Sequence, residues 1–222
     1  MAEDYAELLY AAEKDLTIEL QKQRSDLYFL HAAALALSDN AFLLVAPSGS
    51  DKSTTIWELM HHGFSYLSDE LSPVDLTTME VHGYPHASVS KRTPAAYPLP
   101  GNTIRTPRTL HVPVRQLPVC HEPLPLRCVF FLNVSPEAKS PAARAVSRGE
   151  TAARLIAQAL NPLAHAEAGL VGAATMAESV PAFYLGSADL RLTCDLIKAT
   201  LEDLFATQPN FLATSGSSAP PY

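Results

Sequence analysis

Apolar and polar positions divide the chain into short elements. Over residues 2–24, Tyr5, Leu8, Leu9, Ala12, Leu16, Ile18 and Leu20 recur at helical spacing. They predict one or two amphipathic helices with a charged outer face. After Ser25-Asp26, residues 27–37 are apolar and open on aromatics, the pattern of a strand. Ser38-Asp39-Asn40 has turn chemistry. Residues 41–45 are continuously apolar, as expected of a strand buried on both faces. A helix over 54–62 has Ile56, Trp57, Leu59 and Met60 as its apolar side, and Gly63 can close it with a left-handed cap. A strand over 64–67 follows. Ser72-Pro73 interrupts, and 74–76 with 79–81 predict a small hairpin.

The second half changes character. Prolines from Pro94 to Pro125 leave little room for regular structure. Residues 93–125 therefore read as a long excursion, with Arg105, Arg108 and Arg115 along it. A strand is predicted over 126–134, a helix over 148–160 closed by Asn161-Pro162, and a helix over 165–179 despite Gly169 and Gly172. A short strand over 182–185 and a helix over 188–205 complete the pattern. Residues 1–206 read as one domain, with a helical segment at 2–24 and the proline-rich excursion at 93–125. Residues 207–222, rich in Ser, Pro and Ala, read as a flexible tail.

Strand, loop, helix and strand over 41–67 form a βαβ unit, which places Lys52 and Asp69 at one carboxyl edge of the sheet. The loop reads Ala46-Pro47-Ser48-Gly49-Ser50-Asp51-Lys52-Ser53. It has the outline of a phosphate-binding P-loop, which needs Gly, four free positions, then Gly-Lys-Ser/Thr. Lys52 and Ser53 are in place; Ala46 and Asp51 stand where the glycines belong. Such a loop aims backbone N–H groups at phosphate oxygens at a helix start, and its hydroxyl can ligate Mg²⁺. An acid at a nearby strand end, here Asp69 or Glu70, holds metal or takes a proton. The same residues also admit plainer roles. Ser or Asp at a helix start can serve only as a cap, and Asp69-Glu70 can be a solvated strand end.

Composition narrows the partners. A net charge of −7 argues against a broad nucleic-acid footprint. No apolar run approaches a membrane span, and no basic start precedes an apolar stretch as in a secretory signal. Cys120, Cys128 and Cys194 lack metal-like spacing and fit a reduced, cytoplasmic setting.

Several stretches carry a more specific likeness: Leu30-His31-Ala32-Ala33-Ala34, the 46–55 loop, 63–70, and Tyr84-Pro85-His86-Ala87-Ser88-Val89-Ser90-Lys91. Together they resemble the HPr kinase/phosphorylase-like proteins, and more narrowly their short, HPr-kinase-related group. The resemblance is good over about 30–92 and weaker, but collinear, through 149–155 and 159–162. It implies an α/β P-loop core with a mixed sheet, related to phosphoenolpyruvate carboxykinase. It implies an ATP-dependent Ser/Thr kinase that uses Mg²⁺ and acts on a small protein or peptide. Ser48, Gly49 and Ser50 would wrap the β-phosphate, with Asp51 and Thr54 in the same nucleotide loop. Lys52 would contact β- and γ-phosphates, and Ser53 would ligate Mg²⁺. Asp69 would be the base, Glu70 would help hold metal, His31 would lie near the catalytic acid, and Lys91 could contact phosphate. His86 occupies a place where relatives often carry Arg.

Asp51 stands against this assignment. A side chain there crowds the ligand, and a carboxylate faces a polyanion. Two unit charges near 4 Å interact by about 4 kcal/mol at an effective dielectric of 20. A second hypothesis therefore stands beside the kinase: a degenerate P-loop protein that binds a partner or peptide without phosphoryl transfer. The substrate and any homo-oligomeric state are open on sequence.

Overall fold

The structure is a computed structural model that describes residues 5–47, 52–94, 96–134, 138–165 and 168–207. In chain order the elements are α1 (Tyr5–Gln23), β1 (Tyr28–Leu30), β2 (Ala33–Leu37), β3 (Asn40–Val45), α2 (Lys52–His61) and β4 (Ser65–Ser68). Then come β5 (Ser72–Asp75), β6 (Glu80–Val81), β7 (Ser88–Ser90), β8 (Ile104–Arg105), β9 (Leu110–Val112) and β10 (Leu124–Val134). Last are β11 (Ala142–Ala145), α3 (Arg148–Ile156), α4 (Ala168–Ser179), β12 (Ala182–Ser187) and α5 (Leu190–Thr207).

The result is a mixed α/β fold. Strand β3 lies parallel to β10, and β10 lies parallel to β12. On the other side β2 pairs antiparallel with both β3 and β4. Hence β3 and β4 run in the same direction with β2 between them, and the helix that joins them is a crossover. Their carboxyl ends, Val45 and Ser68, share one edge. The hairpin of β5 and β6 joins β1 and the start of β10, so the sheet curls.

The unbroken apolar run of β3 is explained by cover on both faces. Phe42 and Leu44 pack with Ile56, Leu59, Phe130, Ile197 and Leu201, beneath α2 and α5. Leu43 and Val45 pack with Val129, Phe131, Leu155 and Met176, beneath α3 and α4. The period-2 alternation of the strand thus feeds two apolar layers. Phe42 meets Phe64 and Phe130 edge-on, with ring centroids 5.6 and 5.8 Å apart. Truncating a ring so enclosed costs about 3–5 kcal/mol.

Local chemistry sets the ends of these elements. Ser38 and Asp39 both take positive φ, 49° and 59°, which is the twist a two-residue hairpin needs. Gly63 takes φ 89° and closes α2 as its sequence predicts. Ser147 accepts a hydrogen bond from the Glu150 N–H and caps α3.

Several expectations need correction. The apolar stretch 27–37 is two strands, because the chain changes partners at His31 and Ala32. Strand β1 joins β5, while β2 joins β3 and β4. Ser72-Pro73 does not interrupt; both belong to β5, with Pro73 opposite Phe29. The outer face of α1 is not purely charged: Tyr5, Leu8, Leu16 and Leu20 are exposed. The excursion 93–125 carries β8, β9 and a 3₁₀ turn at Val114–Gln116, and β9 is the central strand of a small β7-β9-β8 sheet. Helix α3 ends at Ile156, short of Leu160. Helix α5 reaches Thr207, and residues 208–222 of the expected tail lie outside the described residues. Strands β7 and β11 have no counterpart in the sequence reading. Among the described residues no helix is long and apolar enough to cross a membrane.

Candidate functional site

The crossover geometry brings Lys52 and Asp69 together. Lys52 opens α2, and Asp69 directly follows β4. Both side chains are buried, at 7% and 0% exposure. Lys52 Nζ lies 3.6 Å from Asp69 Oδ1, and neither atom has a hydrogen-bond partner among the described residues. The Ser53 hydroxyl donates to Asp69 Oδ2 at 3.4 Å. An ion pair this deep, with an unsatisfied donor on one side and acceptor on the other, is costly to the fold unless a ligand completes it.

Burial dominates the titration of Asp69. Loss of water raises its pKa above the ordinary carboxylate value; Lys52 partly opposes this and Glu70 adds to it. The neighbouring Tyr66 phenol is likewise pushed well up, first by burial and then by the charges of Asp69 and Glu70.

The backbone around Asp69 is held by His86. Its Nε2 contacts the Asp69 carbonyl oxygen, and its Nδ1 lies 2.9 Å from the Ala87 carbonyl oxygen. The Tyr66 hydroxyl donates to the His86 carbonyl oxygen at 3.2 Å. Glu70 then takes φ 66° and is exposed, so the chain turns sharply after the buried acid.

A cavity of about 150 Å³ opens beside this pair. Its walls include Lys52, Ser53, Thr54, Glu70, Lys91 and His31. Most of the predicted site residues within the described chain thus meet at one place. Asp69 lies behind the wall, against Lys52 and Ser53. The His31 ring Nδ1 is 3.2 Å from Gln158 Oε1, and its backbone N–H donates to the Gln158 carbonyl at 2.8 Å. Ser48, Gly49, Ser50 and Asp51 lie outside the described residues. Arg92 also lines the cavity and was not among the predicted site residues; its place in the Lys91-Arg92 doublet was the available signal.

The donor set suits a hard cation. Among the described residues no three His, Cys, Asp or Glu side chains gather into a metal centre. Mg²⁺, however, is commonly held by one or two carboxylates together with substrate phosphates. Asp69, with its unsatisfied buried oxygen, and the Ser53 hydroxyl meet that requirement.

No family profile and no curated protein matches the chain. Among solved structures, the HPr(Ser) kinase/phosphatase from Coxiella burnetii aligns with a TM-score of 0.43 at 11% identity, covering 81% of this chain and 97% of that one.

Proposed function

We propose that the chain transfers the γ-phosphoryl group of ATP to a hydroxyl of a small protein or peptide, as its sequence resemblance to HPr-kinase-like proteins implies. One observation carries this reading. The buried Lys52 ammonium and Asp69 carboxylate face each other at the start of α2, each with an unsatisfied atom. Phosphate oxygens would supply the acceptors that Lys52 lacks. Lys91 and Arg92, on the same cavity, would add charge to hold a polyanion.

The chemistry follows from these positions. The acceptor oxygen attacks the γ-phosphorus, the bond from that phosphorus to the β–γ bridging oxygen breaks, and ADP leaves with the bonding pair. The hydroxyl proton passes to Asp69, whose burial raises its proton affinity toward a working base. Lys52 stays cationic against the β- and γ-phosphates. Ser53 and Asp69 are the residues that would hold Mg²⁺, with Glu70 at the cavity wall as a further acid. When bound, Mg²⁺ neutralises charge on the phosphate oxygens.

Asp51 favours a second reading, that of a degenerate P-loop protein which binds a partner without phosphoryl transfer. Calorimetric titration with ATP, with and without Mg²⁺, separates the two. Binding that strengthens with Mg²⁺ supports the kinase. No measurable binding under either condition leaves the degenerate reading.

A further inference from the structure

The phosphate-lined cavity does not end at the Lys52–Asp69 pair. His31, Glu70 and Val89 are also walls of a second cavity of about 250 Å³, which lies under α1. That cavity shares Thr17, Gln21, Leu71 and Tyr84 with a third, of about 170 Å³. The three are contiguous and form one trough. It begins at Lys52, passes between α1 and Val89, and reaches Leu27, Phe29 and Pro73. A hydrogen bond of 2.9 Å between Thr17 Oγ1 and the Tyr84 hydroxyl ties α1 to the opposite wall.

The chemistry changes along the trough. The first cavity is cationic, with Lys52, Lys91 and Arg92. The middle one has an apolar lining, including Ile18, Leu71, Val89 and Leu160. Its charged groups are Glu13 and Glu70 against Lys14, so carboxylates outnumber the lysine. In the third, Arg24 is already paired with Asp26 through two hydrogen bonds of 2.7 and 2.6 Å. A nucleotide's phosphates suit only the first cavity. The rest asks for an elongated, largely apolar occupant with no negative charge.

We infer that the trough under α1 is the acceptor site, and that its occupant is an extended polypeptide segment. The segment places its hydroxyl residue where the first two cavities meet, at His31, Glu70 and Val89. It sets an aliphatic or aromatic side chain from a position beside that residue into the middle cavity. A basic side chain is accepted near Glu13 and Glu70, and an acidic one is rejected. The inference rests on the phosphotransferase reading and goes further, because it names the part of the acceptor that is recognised. A compact small molecule would fill the middle cavity alone and leave the third unused. A trough of linked cavities instead matches a chain whose side chains project at regular intervals.

The test uses the full chain, MgATP and short serine peptides in which each position flanking the serine is varied in turn. An apolar residue at a position beside the serine should raise phosphorylation by about tenfold or more over aspartate there. Ile18→Glu, which puts a third carboxylate on the α1 wall, should erase that preference, and Ile18→Leu should keep it. ATP affinity by calorimetry should be the same in both variants and the native chain. Transfer with no preference at any flanking position overturns the inference and leaves the phosphotransferase reading standing. So does an Ile18→Glu variant with an unchanged profile. Absence of ATP binding by the native chain instead overturns the underlying reading, and the inference with it.

Discussion

Lys52 Nζ and Asp69 Oδ1 stand 3.6 Å apart in the interior, at the ends of two parallel strands, and neither makes a hydrogen bond among the described residues. Burial is the largest influence on Asp69 and outweighs the attraction of Lys52, since its pKa is raised. The native state therefore keeps its proton at a pH where the unfolded chain has lost it. Stability falls as pH rises from the ordinary carboxylate range through the raised native value, and the penalty is complete above it.

Lys52→Met should sharpen that dependence. It removes the one cation paired with the acid and leaves a buried carboxylate alone. Breaking a buried pair costs about 3–5 kcal/mol. The loss should be largest at high pH and shrink as pH falls and Asp69 takes up its proton. Urea unfolding across a pH series measures it. A loss of equal size at every pH would show that Lys52 stabilises by packing and not by charge.

Asp69→Asn should separate chemistry from binding. The amide keeps the shape and still accepts the Ser53 hydroxyl, but it cannot take a proton. Phosphate transfer should fall by about 10²–10⁴, the usual contribution of a positioned base. ATP affinity should stay largely intact. If kcat is unchanged while KM rises, Asp69 serves substrate binding and the base lies elsewhere.

Gly169 and Gly149 should respond in opposite directions to alanine. A methyl at Gly169 would meet the Pro162 carbonyl oxygen at 2.6 Å, where backbone cannot yield cheaply. The Gly169 carbonyl also accepts the Tyr28 hydroxyl at 2.8 Å. Gly169→Ala should cost about 1–3 kcal/mol. Gly149 lies in α3 with nothing near its added methyl. Gly149→Ala should gain about 0.4–1 kcal/mol by stiffening the unfolded chain. Thermal midpoints of the two variants, moving apart from the native value, check the contrast.

Sequence patterning was sufficient where one element has one environment. The run Ala41 to Val45 announced a doubly covered strand, Gly63 its left-handed cap, and the spacing of Lys52 and Asp69 their shared edge. It failed where partners change within one apolar run, as at His31 and Ala32, because hydrophobicity says that a strand is buried and not against what. It failed again for β8 and β9, short segments between prolines with too few positions to show a period. The trough under α1 was illegible for a further reason. Its walls come from α1, β7 and the turn after Asp69, which only the fold brings together. The exposed apolar residues of α1 were taken for its buried side, since periodicity marks a stripe without saying which way the helix is turned.

Asp51 supplies the last prediction. It occupies the glycine position of the P-loop outline, and it lies outside the described residues, so the argument runs from sequence and charge. Asp51→Gly should strengthen ATP binding by about tenfold or more. Glycine restores close approach of the backbone to the β-phosphate. Removal of the carboxylate also ends its repulsion from a polyanion. Either contribution need supply only about 1.4 kcal/mol to reach tenfold. Salt separates them. Repulsion from an exposed carboxylate fades as ionic strength rises, whereas a steric clash does not. Calorimetry of native and Asp51→Gly chains at low and high salt reads both. Equal affinity in the two chains would mean that the loop is built around the acid. The degenerate-binder reading would then lose the observation on which it rests.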